Sequence, residues 1–558
     1  SMADFPQCEA CVAEVADSAN RRFHSQTNAC PDCGPTLIGS IDEAAKVLAE
    51  GRIVALKAAG GFQLLCALRN PEAIARLRQR KHRGSKPFSR MYRSIAEIAS
   101  DCLLSKAERE LLASPAAPIA LLRPRVTADT PSIGAMLPST ALHHLLLDAF
   151  DGPVIATSGN LAGEPIAIAN DEAQTRLAPI ADYFLMHTRP IIWPLDDSIA
   201  MIIDDQPMLI RRARGFRASL LRPDSISPGR LGLGGQLKNT VALSTTDRVL
   251  LSPHIGELDS LLSFRNFERQ VSHLLERQAP TIVVCDRHPD YRSSLFAETL
   301  SLPVKPVQHH IAHARAGIAE HGLRGPVLAV VWDGTGLGDD GQLWGGEWFL
   351  VDGDSYTHVA RLRDFPLPGG ELAIREPRRS AFGLLHELDL QLDLGFTVLE
   401  TRIMKQQIAQ SLKCPRSSAV GRLFDAVSAL LGIVRVADYE GHAAIMLEHA
   451  ISLETLAPYP MSGTDWAPMI QAILEDLAAG TPVGTIANRF HRSLVALIVD
   501  TARDLRTPQV LLTGGCFQNR WLLTEAITGL RAASFKAYWP QELPPNDGGL
   551  AYGQLACV

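Results

Sequence analysis

Along the chain the spacing of apolar positions changes repeatedly, and each change marks an element. "IDEAAKVLAEG" (41–51) carries apolar residues at helical spacing and stops at a glycine; "RIVALKAAGGFQLLCAL" (52–68) then runs apolar with few breaks, as buried β structure does. "NPEAIARLRQR" (70–80) predicts a helix N-capped by Asn70, with Pro71 at its first position. "GPVIATSGN" (152–160) and "PMLIRRARGFR" (207–217) predict further short strands feeding loops. From Leu231 onward apolar strands lead repeatedly into glycine-bearing turns, in "RLGLGGQLKNTVAL", "PVLAVVWDGTGLGDDG" and "QVLLTGGCFQN". Between them lie helical patterns such as "FRNFERQVSHLLERQ" and "VGRLFDAVSALLGI". The expected fold is multidomain α/β, with a twisted sheet in the middle of the chain and a nucleotide-binding type of sheet after it.

Length adds a domain count. A chain of 558 residues is too long for one core. The Pro/Ser-rich "LRPDSISPG" is a plausible linker, and the divisions expected are 1–38, 39–225 and 229–558. No apolar run approaches the ~18 residues of a membrane span, and "SMADFPQ" has no basic-then-apolar signal pattern. The reading is a cytoplasmic protein without a membrane partner. The net charge of −6 exerts no general pull towards nucleic acid, which is not an expected partner.

Four of the ten cysteines fall within the first 33 residues. Cys8 and Cys11 form one CxxC, Cys30 and Cys33 a second, and four thiolates at this spacing suit a closed, structural zinc site. A redox or incidental pair of motifs is the competing reading. In "RLRQRKHRGSKP", Arg76, Arg78, Arg80, Lys81, Arg83 and Lys86 crowd into a turn, and Arg211, Arg212, Arg214 and Arg217 form a second cluster. Converging cations suit a polyphosphate such as ATP, with a nucleic-acid surface or a solvated helix end as alternatives. "VQHHIAHARA" places His309 and His313 one helical turn apart, with His310 pointing elsewhere. There is no HExxH glutamate, and such a pair occurs as often for structural reasons. Asp333 and Asp547, both in expected turns, would complete two imidazoles and two carboxylates, a set suited to iron(II) or another borderline divalent ion.

Taken in order, CxxC…CxxCGP, "KAAGGFQLLC", "KHRGSKP", "TSGN", "DDSIA", "RRARGF", "GGQLKNT", "SPHIGELD", "DRHPDY", "VQHHIAH", "DGTGLGDDGQLWGGE", "LPGGELAIREP", "GGCFQN" and "PPNDGGLAYGQ" strongly resemble the HypF family over essentially the whole chain. These are carbamoyltransferases of nickel–iron hydrogenase maturation. The resemblance implies a YrdC-like adenylate-forming domain followed by a TsaD-like transferase domain of the actin-like ATPase superfamily. It implies that Lys57, Lys81, Arg83 and Lys86 hold the phosphates of Mg2+-bound ATP and a carbamate. Ser158 and Asn160 would then position the reacting groups, and Arg214 would close over the nucleotide. The carbamoyl-adenylate so formed, shielded from water, would pass to a metal held by His309, His313, Asp333 and Asp547. Gly334, Gly336, Gly514, Gly515 and Asn519 would receive the nucleotide there. The acceptor would be the C-terminal cysteine of a HypE-like partner. Family members usually begin with an acylphosphatase domain and two zinc modules, of which only the second is present here. Use of carbamoyl phosphate would therefore need a separate acylphosphatase. A tRNA threonylcarbamoyl or small-molecule O-carbamoyltransferase, and a nucleotide-binding scaffold that transfers nothing, are the alternatives. Carbamate-dependent pyrophosphate exchange separates them.

Overall fold

The computed structural model describes residues 2–126, 128–161, 163–216 and 218–558; Arg217 of the second cationic cluster lies outside the described residues. The chain divides into two compact units, residues 1–126, 133–198 and 213–215 in the first and the rest in the second. Residues 199–212 cluster with the second unit, where Leu209 N–H donates to the Gln541 carbonyl at 2.9 Å.

The first unit contains β1 (Leu37–Ile38), β2 (Val54–Lys57), β3 (Phe62–Ala67), β4 (Ser89–Met91), β5 (Ile119–Leu122), β6 (Ile133–Met136), β7 (Val154–Ser158) and β8 (Tyr183–His187). Their order in the sheet is β1-β8-β2-β3-β7-β4-β6-β5. The long apolar run 52–68 is buried β structure as expected, in two antiparallel strands, because Ala58 N–H closes on the Gly61 carbonyl at 2.9 Å and turns the chain. The predicted helix spans Pro71–Arg80, with the Asn70 side chain accepting from Ala73 N–H at 3.0 Å. Its Ala73 and Leu77 pack with Phe62, Leu64 and Ile155 of the sheet. β2 runs parallel to β8 and antiparallel to β3, which is antiparallel to β7. The carboxyl ends of β2, β7 and β8 therefore lie at the same end of the sheet, bringing Lys57, Ser158 and His187 to the position where α/β sheets gather ligands.

In the second unit β9 (Ile199–Ile203) and β10 (Gln206–Arg211) form a hairpin. β11 (Ser219–Leu221), β12 (Arg230–Gly232), β13 (Ala242–Ser244), β14 (Arg248–Leu251), β15 (Ile282–Asp286) and β16 (Val304–Val307) pair in the order β11-β14-β13-β12-β15-β16. A second sheet holds β17 (Val327–Leu337), β18 (Leu343–Asp352), β19 (Ser355–Arg361), β20 (Phe365–Pro366), β21 (Arg416–Ser417), β22 (Gln509–Thr513) and β23 (Lys536–Tyr538). Its order is β20-β21-β18-β17-β22-β23, with β19 pairing Glu347–Asp352 of β18 beyond the single β21 pair at Leu343. The helix His309–Glu320 is shared between the two sheets. Ile311 and Ala314 pack with Val327, Ala329 and Leu511, and Ala316 and Ala319 pack with Ala242, Val249 and Tyr552. Small residues let it fit: a Cβ on Gly553 would lie 1.9 Å from the Ala312 carbonyl oxygen. Every residue from His309 to Gly317 is buried, so "HHIAHARA" is no solvated polar face.

One expectation is corrected. The segment from Asp333 does not turn at once after the apolar run. β17 continues to Leu337, its register against β18 slipping between Trp332 and Gly336, and the reversal comes at Gly338–Gly341. Pairing resumes with Gly336 opposite Trp344, so Asp333 and Gly334 sit in a strand irregularity ahead of the turn itself.

Candidate functional sites

Gln308 begins the histidine helix. Its side-chain oxygen accepts from Ile311 N–H at 2.9 Å, and its amide nitrogen donates to the Leu337 carbonyl at 3.1 Å. That nitrogen also lies 3.0 Å from His310 Nδ1, which holds this third histidine away from its neighbours' site. His309 and His313 share a face, with ring centroids 5.0 Å apart. Asp333 reaches them from β17 and Asp547 from the short 3-10 turn Asp547–Gly549. His309 Nε2 lies 3.4 Å from Asp333 Oδ2 and 3.8 Å from Asp547 Oδ1; His313 Nε2 lies 3.7 Å from each. The four ligand atoms fall within 4.8 Å of one another.

Two observations fit this set to a divalent cation. The Nε2 atoms of both histidines are buried without a hydrogen-bond partner, although carboxylate oxygens stand nearby. His309 Nδ1 is 2.7 Å from Asp286 Oδ2, both side chains being 1% exposed; a carboxylate behind an imidazole in this way directs the other nitrogen's lone pair into the site. Burial opposes charge on His309, but Asp286, Asp333 and Asp547 outweigh it and hold its pKa well above the ordinary value. Burial likewise works to raise Asp333, and the two imidazoles more than reverse it, holding its carboxyl well below the usual range. Asp333 Oδ1 is fixed separately, by Gly515 N–H at 3.0 Å.

Asp286 was not singled out in the sequence, though it closes the apolar strand β15 and opens "DRHPDY". Asp286→Asn keeps an acceptor but removes the charge behind His309. Affinity for a divalent ion at this centre should fall about 10- to 100-fold, read by anaerobic iron(II) titration of protein whose cysteine site is already filled with zinc. Unchanged affinity would show that Asp286 only fills space.

The glycines do different things from one another. A Cβ on Gly336 would meet His310 Cε1 at 2.6 Å, so this glycine makes room for a ring. Gly514 adopts φ +100°, and a Cβ there would lie 2.2 Å from the Trp332 carbonyl oxygen. Gly515 gives its N–H to Asp333. Gly334 lies against the start of the helix Val420–Leu430, where a Cβ on Gly421 would come 2.8 Å from Gly334 Cα. Asn519 caps the helix Arg520–Ala532 by accepting from Leu522 N–H at 2.8 Å, and its amide nitrogen meets His491 Nε2 at 3.0 Å.

At the carboxyl end of β2 in the first unit's sheet, Lys57 is buried and donates to the His187 carbonyl at 3.1 Å. Lys81, 2% exposed, bridges the "TSGN" loop: its ammonium reaches the Ser158 carbonyl at 2.5 Å, the Asn160 carbonyl at 2.6 Å and Asn160 Oδ1 at 2.8 Å. Burial, reinforced by Arg83, pushes its pKa down to about 7. Ser158 Oγ donates to Asn160 Oδ1 at 2.7 Å. Arg214 donates to Asp197 at 2.8 Å and to the Ala116 and Ala117 carbonyls at 3.0 and 2.8 Å. Asp197 also receives Gln63 Nε2 at 2.6 Å. The six-cation cluster does not converge as a whole. Arg76 turns to the Gly51 carbonyl and Arg80 to Asp182, while Arg78 and Arg83 fold over Phe88 and bond carbonyls of their own loop. Lys86 is exposed on that loop.

The four cysteines do converge. Cys8 and Cys30 Sγ are 3.7 Å apart, Cys30 and Cys33 3.8 Å, and Cys11 and Cys33 3.6 Å. Tetrahedral thiolates ~2.3 Å from zinc stand about 3.8 Å from one another.

Fold and sites define a zinc-finger α/β protein with a buried histidine–carboxylate centre. Family models match in the same order: HypF finger over 8–38, a Sua5/YciO/YrdC model described as telomere recombination over 46–213, HypF Kae1-like domain over 226–320, and carbamoyltransferase, Kae1-like domain, second subdomain, over 329–554. Carbamoyltransferase HypF of Synechocystis is 40% identical across 90% of this chain and 71% of its own length; that of Rhodobacter capsulatus is 40% identical across 99% and 79%. A crystal structure of full-length HypF in a phosphate- and nucleotide-bound form matches with a TM-score of 0.96 at 36% identity, covering 100% of this chain and 78% of that one. The structure of T. kodakarensis HypF matches at 0.93 and 29%, covering 100% and 79%. The chain belongs to the HypF carbamoyltransferase family, and it is an enzyme that transfers carbamoyl groups with a zinc-binding finger at Cys8, Cys11, Cys30 and Cys33.

Proposed function

We propose that, at the carboxyl ends of the first unit's strands, carbamate oxygen bonds to the α-phosphorus of ATP as pyrophosphate leaves, and that the carbamoyl group is transferred from that adenylate at the histidine–carboxylate centre. The acceptor is the C-terminal cysteine thiol of a HypE-like protein, so the product serves hydrogenase maturation in the cytoplasm. The observation carrying this reading is the pair of orphaned, buried Nε2 atoms facing Asp333 and Asp547 in a member of a carbamoyltransferase family. The nucleotide and phosphate bound by the 36%-identical HypF crystal structure support ATP as the substrate that is activated. Among the described residues no helix is long and apolar enough to cross a membrane.

In the first unit Lys57, Lys81, Arg83 and Lys86 stabilise charge on Mg2+-bound ATP and on carbamate. Lys81 acts also through the loop it clamps, fixing Ser158 and Asn160 where the reacting groups meet. Arg214, held by Asp197, closes over the nucleotide. At the second centre His309, His313, Asp333 and Asp547 hold a divalent ion, iron(II) being suited to the donor set. When bound, such an ion supplies Lewis-acid polarisation of a carbonyl oxygen. Asp286 keeps the His309 lone pair facing inward, and the Gly515 amide orients Asp333. Gly334, Gly336, Gly514 and Asn519 shape the nucleotide's surroundings through the strand, rings and helix cap they support. In the transfer the acceptor sulfur bonds to the carbamoyl carbon as the carbon–oxygen bond to AMP breaks, and the thiol proton is released.

The test is a mass spectrum of the HypE-like acceptor after incubation with this protein, Mg2+, carbamoyl phosphate and a separate acylphosphatase, with or without ATP. Carbamoylation of the terminal cysteine that requires ATP is expected, together with carbamate-dependent pyrophosphate exchange. Exchange that depends on threonine, or ATP hydrolysis with no acceptor modification, would refute the proposal.

A further inference from the structure

The two carboxylates of the histidine centre come from distant parts of the chain, and the loops carrying them are joined by a pair of side-chain amides. Asp333 Oδ1 accepts from Gly515 N–H at 3.0 Å. The Gly515 carbonyl accepts from Gln518 Nε2 at 2.9 Å. Gln518 Oε1 accepts from Asn546 Nδ2 at 2.9 Å, and Asn546 Oδ1 accepts from Gly548 N–H at 3.0 Å, on the residue that follows Asp547. Asn546 is 2% exposed, and its amide nitrogen also donates to the Ile210 carbonyl at 3.0 Å. One further strut, Gly514 N–H to the Pro545 carbonyl at 3.0 Å, brings the two main chains together.

We propose that Gln518 and Asn546 form a clasp that sets the separation of the Asp333 and Asp547 carboxylates, making both positioning residues for the divalent ion. This rests on the reading of His309, His313, Asp333 and Asp547 as its ligands. The Thr240 hydroxyl donates to the Gly548 carbonyl at 3.0 Å and steadies that loop from a third segment, but the main-chain strut ties the two carboxylate-bearing loops to each other at one point only. The amide pair adds a second link and so fixes the angle at which residue 547 presents its side chain. Cation sites are sensitive to this, since the groups that orient ligands typically carry 10- to 100-fold in metal affinity. Neither residue is itself a ligand, because both amides are engaged with protein partners.

Asn546 also caps the Asp547–Gly549 turn, and the test must separate that role from the clasp. Gln518→Leu removes the clasp and leaves the cap oxygen. Asn546→Ser keeps a capping oxygen but cannot reach Gln518. The full chain, its cysteine site filled with zinc, is titrated anaerobically with iron(II), and melting of the metal-free protein is followed in parallel. Each variant is expected to bind iron(II) about 10- to 100-fold more weakly. The double variant should be no weaker than the more affected single one, since both break the same link. Wild-type affinity in both variants, whatever happens to melting, would overturn the clasp; so would effects that simply multiply in the double variant. If His309→Ala with His313→Ala also left iron(II) binding unchanged, the reading of the centre itself would fail, a result distinct from failure of the clasp alone.

Discussion

Replacing His309 and His313 together by alanine is expected to abolish carbamoyl transfer to the acceptor thiol while carbamate-dependent pyrophosphate exchange continues near its original rate. The two imidazoles supply half of the proposed donor set, and they are the neighbours that hold Asp333 ionised in a buried position. Without them two carboxylates face each other with no cation between, and one takes up a proton instead of binding a metal. Loss of polarisation worth several kcal/mol corresponds to a fall of about a thousandfold or more in transfer rate. Breaking a buried ionic cluster also costs about 3–5 kcal/mol of stability. His313→Ala alone, which spares the Asp286–His309 pair, is therefore the companion variant, and both are checked for native circular dichroism before assay. If pyrophosphate exchange falls in parallel with transfer in a folded variant, the two steps are not divided between the two centres.

The second large effect is expected at Lys81. Lys81→Met preserves the length of the buried stem but removes the ammonium that ties together the Ser158 and Asn160 carbonyls and Asn160 Oδ1. Pyrophosphate exchange should fall about 100- to 1000-fold, the usual cost of removing one preorganised donor. A signature in stability should accompany it. The folded pKa of about 7 lies below the unfolded value of ~10.4. Between these values the unfolded chain holds a proton that the folded chain has released. The contribution of this group to stability is thus fully present above about pH 10 and is lost as pH falls to about 7. The melting temperature of the unaltered protein relative to Lys81→Met should accordingly rise between pH 7 and 10. A pH-independent difference would mean that Lys81 keeps its proton throughout this range, and unchanged exchange would remove it from the adenylation machinery.

Much of the local structure was legible because it depends on near neighbours. The cap at Asn70, the helix Pro71–Arg80, the strands leading to "TSGN" and "GGCFQN", and the two CxxC pairs follow from spacings of a few residues. Local pattern runs out where a longer-range partner intervenes. The run 52–68 reads as buried β structure, and β8 and β7 pair with the two halves of the hairpin it forms. β17 continues past Asp333 because β18 offers a partner at Trp344 and Leu343. Of the expected cationic cluster, Arg76 and Arg80 are spent on the distant Gly51 carbonyl and Asp182, while Arg78 and Arg83 bond carbonyls of their own loop.

The sequence alone determined the ligand chemistry available to this protein: four thiolates in two knuckles, two imidazoles on one helical face, and an α/β order of elements with a family resemblance along its length. Only the tertiary structure decided how these are used. It placed Asp286 behind His309, drew Asp333 and Asp547 to within 3.8 Å of the same imidazoles, and buried the histidine helix between two sheets. The physical reason is range. Periodicity and capping act over one or two turns of chain, whereas the charge, desolvation and hydrogen bonding that make a metal centre depend on residues hundreds of positions apart meeting in one buried place.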